Sequence, residues 1–216
     1  MTHVITPLIG RRALLSGAAA LSVLFPRQSF SQARLAATPR QTEGPFYPVD
    51  WTGDIDDDLV VVKGEATTAT GQVAHVEGRV LDRSGQPMAG AWLEIWQCDA
   101  KGVYRHPSDE RGNRRHDAGF QCRGRAVTDA SGRYHFRTIK PVAYPGRTPH
   151  IHFTVITPGT KLVTQLYVYG EPGNARDGVL NGNRDPRQRD SVIARFERAD
   201  GKEAGALAAS FDIVMG

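Results

Sequence analysis

The chain has 216 residues, 40% hydrophobic, 23% charged and 8% aromatic, a composition that excludes collagen, a coiled coil and wholesale disorder. Its 23 Gly and 13 Pro favour short elements joined by many turns, and so β structure. The formal charge of +4 carries no nucleic-acid signature: three of the 27 basic residues (Arg11, Arg12 and Arg27) lie in residues 1–31, which hold no Asp or Glu, and the remainder sets 24 basic against 23 acidic side chains with no basic stripe.

Residues 1–31 read as an export signal. Arg11-Arg12 precedes an apolar, small-residue run that ends at Phe25, and Ser29 and Ser31 offer a cleavage site. The run is shorter than the ~20 residues a spanning helix needs, so no membrane span is expected. The arginine pair with Leu14-Leu15 resembles a twin-arginine signal, the route for proteins exported already folded; a general secretory signal or an uncleaved leader are the alternatives. The expected location is the periplasm or the exterior of a bacterial cell. Residues 32–72 are polar and turn-rich, with Asp54, Asp56, Asp57 and Asp58 close together, and read as an extended arm.

Residues 73–216 are expected to form one all-β domain, an antiparallel sandwich with long loops at one end. Strands are read at 74–81, 91–97, 126–128, 134–139, 149–157, 162–169 and 208–215. The second is expected to be buried on both faces, from Trp92, Leu93, Ile95 and Trp96. Asp82-Arg83-Ser84-Gly85 and Asp129-Ala130-Ser131-Gly132 read as turns. Residues 187–197 have weak helical character. Cys98 and Cys122 would close a loop of about 25 residues if they pair, worth roughly 3 kcal/mol; two buried free thiols are the alternative.

His150-Ile151-His152-Phe153-Thr154-Val155 alternates strictly. Ile151, Phe153 and Val155 are assigned to the core, and His150 and His152 to the opposite face, where two imidazoles can converge on one metal ion. Two histidines do not complete a site, and no H-x-D or H-x-E pattern supplies a carboxylate. Tyr144 lies upstream between Pro141 and Pro145 in a proline-stiffened loop, and Tyr104 follows the second strand. Either tyrosine taken alone reads as packing. His75, His106, His116 and His135 read as structural or solvated.

Taken together, these segments resemble the intradiol ring-cleavage dioxygenases. Ile95-Trp96-Gln97, Gly102-Val103-Tyr104-Arg105-His106, Thr138-Ile139-Lys140-Pro141 with Tyr144-Pro145, and Arg147-Thr148-Pro149-His150-Ile151-His152-Phe153 carry the resemblance. Gln41-Thr42-Glu43-Gly44-Pro45-Phe46-Tyr47 and Thr164-Gln165-Leu166-Tyr167 flank them in the family's order. The resemblance implies a non-haem iron(III) held by Tyr104 and His152 as equatorial ligands and Tyr144 and His150 as axial ones. It also implies cleavage of a catechol by O2, between the two hydroxyl-bearing carbons, to a cis,cis-muconate-type diacid. Tyr144 would be displaced by substrate, Arg147 would stabilise developing negative charge, and Gln165 would hydrogen-bond near the substrate.

The absence of a long helical N-terminal region is closer to the protocatechuate branch of the family, and the short stretch between Tyr144 and His150 leaves the preferred catechol open. A homo- or hetero-oligomer is compatible with either. The competing expectations are an Ig- or transthyretin-like binding module without catalysis, and copper or zinc at the same site. Two phenols argue against zinc.

Overall fold

In the computed structural model, which describes residues 1–3 and 34–216, the alternation read from the sequence becomes ten strands among the described residues. Apart from its first three residues, the expected export segment lies outside them. No helix among the described residues is long and apolar enough to cross a membrane.

Strand β1 (Val73–Leu81) is the organising strand of the first sheet. It pairs antiparallel with β4 (Arg133–Ile139) on one edge and parallel with β9 (Leu207–Ser210) and β10 (Ile213–Val214) on the other; β8 (Glu197–Arg198) then pairs with β9. The second sheet has the order β3 (Arg123–Val127), β2 (Trp92–Trp96), β5 (His150–Thr157), β6 (Thr160–Val168), β7 (Ile193–Ala194), and its last pairing is parallel. Both sheets are therefore mixed, which corrects the purely antiparallel expectation. The parallel pairings involve strands of two to four residues that arrive after long connections, and strands so short leave little alternation to read.

Two turns show how the sequence stops its strands. Asp82 Oδ1 accepts from the Ser84 N–H, the Ser84 hydroxyl and the Gln86 N–H; Asp129 Oδ1 does the same for the Ser131 N–H, the Ser131 hydroxyl and the Arg133 N–H. Each carboxylate takes up donors that a strand would have used, so the chain reverses there.

One apolar core joins the sheets. Val76 and Val80 from β1, Tyr134 and Phe136 from β4, Leu93 and Ile95 from β2, and Ile151, Phe153 and Val155 from β5 belong to it. Phe153 meets Phe136 and Phe211 edge-on at 6.3 and 5.2 Å between ring centroids. Burying such a ring contributes about 1.5–3 kcal/mol relative to leaving it exposed. Trp92, expected inside, is 52% exposed, and Val127 and Ile156 opposite it in register are exposed as well.

Residues 34–72 contain no strand or helix and are tied to the domain by backbone bonds, among them Thr38 N–H to Val214 O, Gln41 N–H to Val163 O and Leu59 N–H to Arg137 O. After β6 come a 3-10 turn (Pro172–Arg176) and two short helices, α1 (Gly178–Gly182) and α2 (Pro186–Asp190). The helical expectation at 187–197 is half right. Asp185 caps α2 and Pro186 opens it, but Ile193–Ala194 turns into β7 against β6. Cys98 and Cys122 are buried free thiols, so the loop is not closed by a disulfide.

Candidate metal centre

Strand β5 sorts its residues by face. Ile151, Phe153 and Val155 enter the main core, while His150 and His152 point to the opposite side of the second sheet, beside Trp96 on β2 and across from Tyr167 and Gln165 on β6. A second, smaller apolar cluster forms there around Trp96, Cys98, Tyr104 and Val163, with Phe46, Tyr47 and Tyr144 packed on it. The two imidazoles are buried inside this cluster.

Their Nε2 atoms converge to 3.1 Å. His150 Nδ1 lies 2.6 Å from the Thr148 carbonyl, which assigns the ring proton to Nδ1 and leaves the Nε2 lone pair facing the site. His152 lies flat on the Trp96 indole, 4.7 Å between centroids and 9° between planes. Burial, then the Arg147 charge, pushes His150 down to about 4. Burial, then His150 and then Arg147, holds His152 well below the usual imidazole range. Both rings are therefore neutral at physiological pH, the form that binds a cation.

Tyrosines complete the cluster from two loops. Tyr144-Pro145-Gly146-Arg147 is a type II turn: Arg147 N–H donates to Tyr144 O at 3.0 Å, proline sits at the second position, and Gly146 at the third has φ +85°. The turn sets the Tyr144 and Arg147 side chains beside each other, Nη1 to hydroxyl 3.5 Å. In the other loop, Asp99 Oδ1 accepts from the Lys101 and Val103 N–H groups, and Asp109 accepts from the Tyr104 N–H at 2.8 Å. Tyr104 packs edge-on against Tyr144 at 5.4 Å and lies 6.1 Å from His152, ring to ring. The Phe46 ring stacks on it at 4.8 Å.

The Tyr104 hydroxyl is buried without a hydrogen-bond partner. Burial first, then the neighbouring Cys98 and Tyr144, raises it well above the usual phenol range; Tyr144 is close enough to contribute, yet no bond of ordinary geometry closes between the two. Tyr144 is raised too, by burial, against the opposing pull of Arg147.

Two imidazole Nε2 atoms 3.1 Å apart, with His152 Nδ1 and the Tyr104 hydroxyl buried beside them without partners, is an arrangement a cation would resolve. Among the described residues no group of three or more His, Cys, Asp and Glu side chains converges so as to hold a metal ion. The side-chain oxygens nearest the two imidazoles that the resemblance names are the phenols of Tyr104 and Tyr144. Imidazole nitrogen with phenolate oxygen suits iron, and a bound cation would lower the phenol pKa.

The other expected residue, Gln165, is fully buried and fully committed. Its Oε1 accepts from Arg147 Nη2 at 2.6 Å and from the Tyr167 hydroxyl at 2.9 Å, and its Nε2 donates to Thr42 O at 2.9 Å. It holds Arg147 and the segment around Thr42 in place. Arg147 also pairs with the buried Asp177 through Nε to Oδ2 at 2.8 Å. Burial alone would lower its pKa, and Asp177 more than offsets that, so it is pushed up. The remaining histidines lie apart: His75 bonds His135 at 2.9 Å, His116 bonds Glu110 at 2.6 Å, and His106 bonds Ser108 at 2.6 Å.

Comparison with known proteins decides the family. The family model described as Dioxygenase matches residues 42–216, which takes in all of these side chains. The beta chain of protocatechuate 3,4-dioxygenase from Burkholderia cepacia is 39% identical over 189 residues, covering 82% of this chain and 78% of the relative. The chain belongs to the intradiol ring-cleavage dioxygenases.

Catechol 1,2-dioxygenase of Candida albicans is 31% identical to this dioxygenase over 74% of the chain, which spans 54% of that relative's length. Among solved structures, the dioxygenase domain of a dioxygenase and carbohydrate-binding fusion from a cellulolytic Streptomyces superposes with a TM-score of 0.62 at 32% identity, covering 83% of this chain and 98% of that one. Hydroxyquinol 1,2-dioxygenase from Pseudomonas putida gives a TM-score of 0.63 at 25% identity, covering 88% of this chain and 68% of that one. Family members use a non-haem iron.

Two residues of the cluster, Asp177 and Tyr167, carry no signal of their own in the sequence beyond Tyr167's place in Thr164-Gln165-Leu166-Tyr167. Asp177 stands in Ala175-Arg176-Asp177-Gly178, which reads as an ordinary helix start.

Proposed function

We propose that this dioxygenase opens the ring of a catechol-type substrate between its two hydroxyl-bearing carbons, with Tyr104, Tyr144, His150 and His152 holding one iron(III) ion. The observation that carries the assignment is the convergence of the two Nε2 atoms at 3.1 Å beside the unpartnered Tyr104 hydroxyl. Bound iron(III) would supply the charge that makes a catechol dianion stable at neutral pH and able to react with O2.

The chain's own residues do the rest. Tyr144, half-buried and next to Arg147, is the side chain best placed to accept a proton from a substrate hydroxyl, and it could do so only as the phenolate that a bound cation would stabilise. The Arg147 guanidinium, held by Asp177 and Gln165, offers a permanent positive charge where the substrate becomes anionic. Trp96 lies on His152, with Tyr47 packed on Trp96 and Phe46 on Tyr104, and this apolar cluster keeps water from the buried side of the centre.

The two sheets, which share one core, are read as an Ig- or transthyretin-like sandwich, and residues 32–72 as an extended arm laid over the domain. The twin-arginine-like leader supports export, with catechols met outside the cytoplasm. N-terminal sequencing of the mature protein tests the leader: an intact Met1 refutes it.

Visible spectroscopy on the iron-quantified protein tests the function. A broad absorption band from tyrosinate bound to iron(III), shifting when catechol is added without oxygen, is the expected result. Iron-loaded protein without a band, and without O2 uptake on catechols, overturns the proposal.

A further inference from the structure

Asp177 lies between the 3-10 turn and α1, and its side chain is fully buried. Its two oxygens face different ways. Oδ1 accepts from the Val179 and Leu180 N–H groups, both at 3.0 Å, and caps α1. Oδ2 accepts from Arg147 Nε at 2.8 Å and from the Thr148 N–H at 3.1 Å. Serine, threonine or asparagine would serve the cap as well. None of them would neutralise a guanidinium, so the cap does not explain a buried carboxylate here.

What Oδ2 holds is the catalytic end of the chain. Arg147 Nε is fixed by Asp177 and Nη2 by Gln165 at 2.6 Å, which leaves Nη1 as the nitrogen directed at the Tyr144 hydroxyl. Thr148 is tied at both ends: its N–H to Asp177, and its carbonyl to the Nδ1–H of His150 at 2.6 Å. Its hydroxyl donates to Asn174 Oδ1, and Asn181 bonds back to the carbonyls of Asn174 and Asp177. One carboxylate thus touches the two consecutive residues that aim the arginine and fix the histidine.

We propose that Asp177 is a positioning residue for ring cleavage: its carboxylate fixes the Arg147 guanidinium toward Tyr144 and, through Thr148, holds His150 with its proton on Nδ1 and its Nε2 free for the metal. The inference rests on the dioxygenase reading above. An arginine released from that grip regains the freedom of a long side chain, and its charge is no longer delivered at one place.

The test is Asp177→Ser in the full chain, with Asp177→Asn as the variant of matching shape should the serine fail to fold. Either keeps an acceptor for the α1 cap. On metal-free protein, nitrogen-15 NMR is expected to show the Arg147 Nε–H signal losing its hydrogen-bonded position and His150 populating both tautomers, with a lowered melting temperature because the guanidinium loses its buried counter-charge. On iron-loaded protein, kcat is expected to fall roughly 10- to 100-fold, the span that follows from losing one charged hydrogen bond, with KM moving far less. A variant that melts lower but keeps both NMR signals and its kcat would reduce Asp177 to a helix cap and overturn the proposal. Failure of the wild-type protein to cleave catechols would instead sink the dioxygenase reading; the NMR result, taken without metal, separates the two.

Discussion

Tyr104→Phe should change the stability of the metal-free and iron-loaded protein in opposite directions. The substitution removes one hydroxyl and keeps the ring, so the stack on Phe46 at 4.8 Å and the edge contact with Tyr144 at 5.4 Å survive. That hydroxyl is buried and unpartnered, a state that costs about 1–3 kcal/mol. Metal-free Tyr104→Phe should therefore be more stable than wild type by that amount. For a domain of this size 1 kcal/mol moves the melting point by roughly 2–4 °C, so the expected rise is roughly 2–12 °C. Iron loading should reverse the order at high excess, because a metal that binds only the folded state adds about 4.1 kcal/mol at a thousandfold excess over Kd, more than the hydroxyl's cost, and the variant lacks a donor for it. Scanning calorimetry of both proteins, with and without iron, reads all four values. A metal-free variant less stable than wild type would mean the hydroxyl has a partner after all. An equal rise in melting point on iron loading for both proteins would remove Tyr104 from the donor set.

Arg147→Ala should retain iron and its visible band but turn over roughly 10²–10³-fold more slowly, the usual loss for one donor aimed at developing charge; unchanged kcat would remove its role. Gly78→Ala places a methyl group against the Phe211 carbonyl, where the ladder between β1 and the C-terminal strands pauses, and should cost at least roughly 1–3 kcal/mol in a melting experiment; an unchanged melting point would refute that close approach. Glu203 is lowered from 4.5 to about 2, chiefly by hydrogen bonds from Arg137. A depressed carboxyl stabilises fully above its unfolded pKa and loses that contribution as pH falls through the folded one. The melting gap between wild type and Glu203→Gln should be widest above about pH 4.5 and close toward pH 2; a gap that stays constant over that range would contradict the pairing.

Local chemistry was the legible part of the sequence. The alternation at His150–Phe153 assigned two residues to each face correctly because a strand's period is short and rigid. The stiff loop read around Tyr144 from its prolines is a type II turn at Tyr144-Pro145-Gly146-Arg147. What the sequence concealed was set by distant partners. Trp92 looks like core by type, yet it stays half exposed at the end of β2, beside the exposed Val127 and Ile156. The parallel β9 and β10 take their places from β1, more than a hundred residues upstream, and their few residues carry no pattern of their own. Asp177 reads as a helix cap because that is half of what it does; its bond to Arg147 exists only once the 3-10 turn has folded back over the loop.

Strand β5 works as a reading frame. In its first half Ile151 and Phe153 go to the fold while His150 and His152 go to the chemistry, one backbone serving both. A single-residue deletion between Thr148 and His150 would shift that frame, driving imidazoles into the aromatic core and turning Ile151 and Phe153 toward the metal. No gradual route through such a shift keeps either function. Variation in substrate is thus directed to the parts outside the frame: the Tyr104 loop, the Tyr144 turn and the Phe46 segment, which border the centre without carrying the core.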